Sequence, residues 1–183
     1  MDVRKAIERR RSVRVFDYER QVSDQDLATI LEAARRAPSW KNEQPWRFVA
    51  VRSSETRRKI LAALTEDNPA RGAVAEASVV IVVLGVPEEG EIHQGKPFYL
   101  VDCGIAGQNL FLQAVELGLA SVWVSLVDGP AVCRALGAPA GWECVGMFPI
   151  GYPLEGEYEK RPRPRKATTE VCFLDRVGNP LPF

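Results

Sequence analysis

The sequence predicts one domain of mixed α and β structure, and three observations carry that prediction. Apolar residues recur at helical spacing in two well-separated stretches, 27–34 and 101–119. Between them Ser78-Val79-Val80-Ile81-Val82-Val83-Leu84 is a nearly continuous β-branched run, the pattern of a strand buried on both faces. The motifs G-x-G-x-x-G, G-x-x-x-x-G-K-[ST] and G-x-S-x-G are absent, so dinucleotide-fold, P-loop and α/β-hydrolase architectures lack their signatures.

In chain order, Val3, Ala6 and Ile7 predict a short amphipathic helix over residues 2–11. The pattern then changes to alternation, with Val13 and Val15 expected inward and Ser12 and Arg14 on the other face. Ser23 is the expected cap of a second helix, with Asp26 at capping-box spacing and Pro38 closing it. Residues 47–51 read as a strand and 55–65 as a third helix. Residues 67–77 are ambiguous between loop and helical turn. The acidic stretch 87–95 reads as a surface loop carrying an exposed His93. Leu100 to Leu119 forms the longest helix, roughly 30 Å at 1.5 Å per residue. Its apolar residues lie on more than one side, which calls for cover on more than one side, from a partner copy or from a central place in the core. A short strand at 120–125, a helix opened by Pro130 and a strand at 142–150 follow. Beyond a charged, proline-rich segment at 154–166, residues 170–174 regain β character and are expected to pair with a sheet edge, the chain's own or a partner's.

Composition narrows the function. Lysine plus arginine and aspartate plus glutamate are balanced at 24 each, which argues against a dedicated nucleic-acid binder or a polybasic membrane anchor. The start of the chain lacks a signal-peptide core and no apolar run spans a bilayer, so a cytoplasmic location is expected. Cys103, Cys133, Cys144 and Cys172 are widely spaced among apolar neighbours and read as reduced, mostly buried thiols. With His93 the single histidine, a zinc site is not expected.

Two local features stand out against this background. Basic residues cluster near the start (Arg4, Lys5, Arg9, Arg10, Arg11, Arg14) and near the end (Lys160, Arg161, Arg163, Arg165, Lys166). Arg10, Arg11, Ser12 and Arg14 read equally as a solvated helix end or as a site for an anion such as phosphate, which suits the guanidinium fork. The loop 37–48, with Trp40, Asn42, Gln44, Trp46, Pro38 and Pro45, reads either as a rigid connector whose tryptophans fill the core or as a grip for a flat, polar-edged ligand. A ligand with a phosphate at one end and a planar ring at the other satisfies both features, and a phosphorylated flavin is one such ligand.

Arg10-Arg11-Ser12-Val13-Arg14, then Ala33-Ala34-Arg35-Arg36-Ala37-Pro38-Ser39-Trp40-Lys41-Asn42-Glu43-Gln44-Pro45-Trp46, resembles the N-terminal signature of the FMN-dependent nitroreductase family. Asp102-Cys103-Gly104-Ile105-Ala106-Gly107-Gln108-Asn109-Leu110 and Leu117-Gly118-Leu119-Ala120-Ser121-Val122-Trp123 resemble its central helix and following strand. Gly151-Tyr152-Pro153 with Arg163-Pro164-Arg165 resembles its C-terminal end. The resemblance implies an α+β three-layer sandwich with a mixed, mostly antiparallel sheet between helices. It further implies an intertwined homodimer in which residues 154–183 form an arm whose strand crosses to the partner. FMN is the implied cofactor, NADH or NADPH the donor, and a small nitroaromatic or quinone-like molecule the acceptor, in a ping-pong cycle. Other flavin reactions, such as reductive dehalogenation or flavin fragmentation, and flavin binding without turnover are the alternatives.

By position, the resemblance puts Arg10, Arg11, Ser12 and Arg14 along the phosphate, ribityl chain and pyrimidine edge, with Arg163 and Arg165 completing the phosphate site. Pro38, Ser39 and Asn42 are implied to reach the flavin of the other subunit. Trp123, Val124, Ser125 and Leu126 match a segment behind the ring whose backbone N–H groups approach it. Arg14 is the implied stabiliser of charge on the reduced ring. Trp40 stands where the family commonly has a small residue and would narrow the site.

Overall fold

The structure is a computed structural model that describes residues 2–160 and 163–182. Its centre is a five-stranded sheet in the order β1 (Phe16–Asp17), β7 (Glu143–Pro153), β3 (Val79–Gly85), β2 (Trp46–Val51), with β6 (Ala120–Ser121) also pairing with β7. The ladders are antiparallel, and among the described residues a parallel contact enters only through the bridge between Ser12 and Ser121. The β-branched run anticipated a strand buried on both faces, and β3 is buried at all seven positions. Its alternate side chains divide the interior into two cores. Val80, Val82 and Leu84 face one, and Val79, Ile81 and Val83 face the other.

Helices cover both faces. Packed on the first core are α3 (Ser54–Leu61), α4 (Arg71–Glu76) and α6 (Gly129–Leu136), and on the second α2 (Asp24–Arg35) and α5 (Phe98–Glu116). Helix α2 starts where expected, because Ser23 Oγ accepts the Asp26 N–H at 3.0 Å and donates to its carboxylate at 2.8 Å. The ambiguous stretch 67–77 contains α4. The acidic loop folds into a 3₁₀ turn (Pro87–Glu89) and a small hairpin, β4 (Ile92–His93) and β5 (Lys96–Pro97), and His93 is exposed.

Five expectations are corrected. Helix α1 (Val3–Arg9) buries only Ala6, leaving Val3 and Ile7 exposed. Val13 is buried but Val15 is 41% exposed, because the chain bends after Val13 so that Phe16, instead of Val15, enters the core. Residues 170–174 do not form a strand on the sheet: Thr168–Val171 is a helical turn, α7, held by Glu170 accepting the Ala167 N–H at 2.8 Å. Of the cysteines, Cys103 alone is fully buried, although all four thiols are free. Burial pushes the Cys103 and Cys144 thiols up to about 12, which keeps them protonated and unreactive.

The long helix also distributes its apolar residues differently from the expected stripe. Cys103, Ala106, Leu110 and Ala114 face the core, whereas Val101 and Ile105 are exposed. One helix side is therefore covered by the chain itself, and the other presents apolar surface outward. No helix among the described residues is long and apolar enough to cross a membrane.

Candidate functional site

Helix α1 begins at Asp2, whose carboxylate accepts the Lys5 N–H at 2.9 Å, and ends as Arg10 turns extended while donating its N–H to Ala6 O. The chain then runs beside β6, with the Val13 N–H donating to Ser121 O at 2.9 Å. Buried Val13 anchors this run, so Arg10, Arg11, Ser12 and Arg14 are held along a rim instead of on a free tail.

The other wall arrives from beyond β7. The Leu154 N–H donates to Val15 O at 3.3 Å, and the Tyr158 hydroxyl donates to Leu119 O at 2.5 Å beneath the Arg9 guanidinium, which lies 4.4 Å from the ring centroid. Arg11 Nη1 donates to the Lys160 carbonyl. These ties bring Glu157, Lys160, Arg163 and Arg165 opposite the first wall, enclosing a cavity of about 850 Å³ with Arg10, Arg11, Ser12, Arg14, Ile7, Glu8 and Val15. Sequence reasoning missed Glu157 and the bracing role of Tyr158. Lys160 was visible only as one member of a basic run.

The cavity is strongly cationic. Six Lys or Arg side chains face two carboxylates, and both carboxylates already have partners, Glu8 in Arg4 and Glu157 in Lys160. Among the described residues none of the five arginines has a carboxylate within ion-pairing distance. Desolvation, and then repulsion from Arg165, lowers the Arg10 pKa from its ordinary value. Among the described residues Arg14 Nε is buried with no hydrogen-bond partner. Clustered guanidiniums with a buried, unsatisfied donor suit an anionic ligand that supplies acceptor oxygens.

Trp123, Val124, Ser125 and Leu126 leave β6 next to the arginine run but do not line this cavity. The Val124 N–H is committed to Met147 O at 2.9 Å, whereas no hydrogen bond among the described residues engages the Ser125 or Leu126 N–H. Asn68, 7% exposed, fixes the segment by donating to Leu126 O at 2.9 Å.

Pro38, Ser39 and Asn42 do not line the cationic cavity, and their loop sits at the N-terminal end of α5. Ser39 Oγ accepts the Gln44 N–H at 3.0 Å, closing a 3₁₀ turn over Trp40–Asn42. Lys41, Asn42 and Gln44 all have left-handed φ, 48°, 62° and 53°. Asn tolerates that region, whereas Lys and Gln pay roughly 1–2 kcal/mol each. The turn is tied down by Asp102, which is 3% exposed and accepts the Trp40 N–H at 3.1 Å, while its second oxygen is buried without a partner.

Burial raises the Asp102 carboxyl pKa, against a smaller lowering by the Trp40 N–H. A raised folded-state pKa means stability that is full below the unfolded pKa and is lost as pH rises through the folded one. Asp102→Asn, neutral throughout, should therefore match wild type in acid and exceed it by on the order of 1 kcal/mol at neutral pH and above. Thermal melts at pH 4 and pH 8 check this, and a gap that narrows with rising pH contradicts it.

Comparison with known proteins identifies the family. The nitroreductase family model matches residues 7–152. A protein of Archaeoglobus fulgidus named as a candidate NADH dehydrogenase/NAD(P)H nitroreductase is 36% identical over 155 residues, 82% of this chain and 85% of that one. The 5,6-dimethylbenzimidazole synthase of Rhodospirillum rubrum is 30% identical over 171 residues, 80% of this chain and 79% of the synthase. Among solved structures, a protein of Desulfovibrio desulfuricans described as a candidate nitroreductase in complex with FMN superposes with a TM-score of 0.82 at 27% identity, covering 100% of this chain and 99% of that one. With the family model spanning most of the chain and relatives of this identity across four fifths of it, the chain belongs to the nitroreductase family.

Proposed function

We propose that the protein is an FMN-dependent oxidoreductase that passes reducing equivalents from NADH or NADPH to a small acceptor such as a nitroaromatic or a quinone, working as a homodimer. The observation that supports it most is the cationic cavity with its buried, unpartnered Arg14 Nε, a donor set suited to a phosphate joined to an electron-rich ring. FMN, when bound, supplies the hydride chemistry that no side chain here can perform. Relatives bearing FMN and NAD(P)H in their names favour this cofactor and donor.

The residues divide the work. Arg10, Arg11, Arg163 and Arg165 neutralise the phosphate, and Ser12 donates its hydroxyl nearby. Arg14 donates to the pyrimidine edge of the ring. The Ser125 and Leu126 N–H groups serve the ring from the adjoining segment, at the end of the run from Trp123 through Val124. Pro38, Ser39 and Asn42 complete the site of the other subunit. The exposed Val101 and Ile105 of α5 are the apolar surface such a dimer would cover, and residues 154–183 are the proposed arm toward the partner.

Purified protein should be yellow, release FMN on denaturation, run as a dimer, and oxidise NADH or NADPH faster when 1,4-benzoquinone or a nitroarene is added. A dimer that binds FMN but shows no acceptor-dependent NAD(P)H oxidation would point to flavin binding without turnover. A colourless protein that does not take up FMN would remove the proposal altogether.

A further inference from the structure

Two tryptophans of the same loop have opposite fates. Trp46 is 5% exposed in the core, whereas Trp40 retains 38% of its surface. Exposed side chains ordinarily keep rotamer freedom, yet Trp40 is held on several sides. Its backbone is fixed by its main-chain N–H donating to Asp102 and its carbonyl accepting the Glu43 N–H at 2.9 Å, and its indole leans on Phe98 with ring centroids 5.2 Å apart. Phe98 is itself fixed, donating its N–H to Glu91 O at 2.8 Å. Lys41 Nζ lies 3.8 Å from Glu91, a second link from the loop to the same hairpin. The strained backbone at Lys41 and Gln44 persists because these contacts over-determine it. A large, rigid aromatic surface turned toward solvent between Ser39 and Asn42 is a wall for a ligand.

We infer that Trp40 sets the size limit of the acceptor site, admitting a single flat ring and shutting out tricyclic acceptors such as free riboflavin. The inference rests on the reading of Ser39 and Asn42 as cofactor contacts. Phe98 stands behind the indole, so the ring cannot fold back to make room. On this inference a monocyclic acceptor would stack beside the indole, whereas a tricycle would overlap the volume it fills. In the reaction, 1,4-benzoquinone takes a hydride and a proton and leaves as hydroquinone while NAD(P)H becomes NAD(P)+. Riboflavin would be reduced with the same balance. Trp40 contributes space and stacking, with no proton transfer.

The test compares kcat/KM for 1,4-benzoquinone and for free riboflavin in FMN-loaded wild type, Trp40→Ala and Trp40→Phe, with one nicotinamide donor throughout. Trp40→Ala should raise the riboflavin value at least tenfold and lower the benzoquinone value about three- to tenfold, with Trp40→Phe between. A gain on the larger acceptor cannot arise from misfolding. An unchanged ratio of the two acceptors in both variants overturns the inference, as does dissociation of Trp40→Ala into flavin-free monomers, which would make Trp40 a subunit wedge. Wild type that binds no FMN counts against this inference and the proposed function together. Wild type active on benzoquinone with an unaltered ratio in the variants counts against Trp40 alone.

Discussion

Arg14→Ala makes bound FMN harder to reduce by roughly 60–85 mV, while FMN affinity falls less than tenfold. The first figure follows from losing one pre-aimed donor to developing negative charge, about 2.7–4 kcal/mol, at about 30 mV per 1.4 kcal/mol for a two-electron couple. The second follows from the proposed division of labour, which leaves the phosphate to Arg10, Arg11, Arg163 and Arg165, four of the residues that line the cavity. Arg14 is the member with a buried, unpartnered Nε, so its donor is already desolvated and is worth more than a donor in water. Arg14→Lys keeps the charge but not the fork and should recover part of the potential. Spectroelectrochemical titration of the three proteins decides the matter. A potential that does not move in Arg14→Ala removes this role.

Gly107→Ala should cost about 3 kcal/mol, the upper part of the range for forcing atoms into a packed core. A Cβ at Gly107 of α5 would sit 2.2 Å from Trp123 Cζ3 and 3.0 Å from Phe148 Cζ. Neither ring has an easy exit: Phe148 is fully buried, with Trp123 edge-on at 4.8 Å and Phe111 at 5.8 Å. For a domain of this length the cost corresponds to a fall in Tm of roughly 6–12 °C, measured at fixed protein and flavin concentration because bound ligand and subunit association move Tm as well. Displacement of Trp123 would carry Ser125 and Leu126 with it, so FMN affinity should drop in the fraction that folds. A change in Tm below 2 °C would show that the aromatic cluster can yield without cost.

The parts of the fold that were legible in the sequence are those whose cause is local. The β-branched run of β3 and the Ser23 cap of α2 depend on neighbouring residues, and both lie where their patterns put them. The same holds for the arginine rim, where charge density within five positions is visible without any fold. Val15 was misassigned because alternation assumes a straight strand, and the bend before Phe16 is set by its pairing with Pro153 of β7. Val171, Cys172 and Phe173 have β character, but such residues form a ladder only where an edge is offered. Within one chain Phe173 finds only a single bridge to Pro180. The Asp102 tie to Trp40 joins residues 62 positions apart, and Glu157 and Tyr158 reach the site through tertiary contacts that carry no pattern at all.

The bond from Arg11 to the Lys160 carbonyl spans 149 residues. A chain still on the ribosome can form the central sheet once β7 has emerged, but its anion cavity stays half-walled until the segment carrying Lys160, Arg163 and Arg165 has followed. Closure of the cavity is in this way timed by translation: the wall that carries Lys160, Arg163 and Arg165 is made after the strand that completes the sheet, so a chain halted just past β7 would have its sheet and lack that wall.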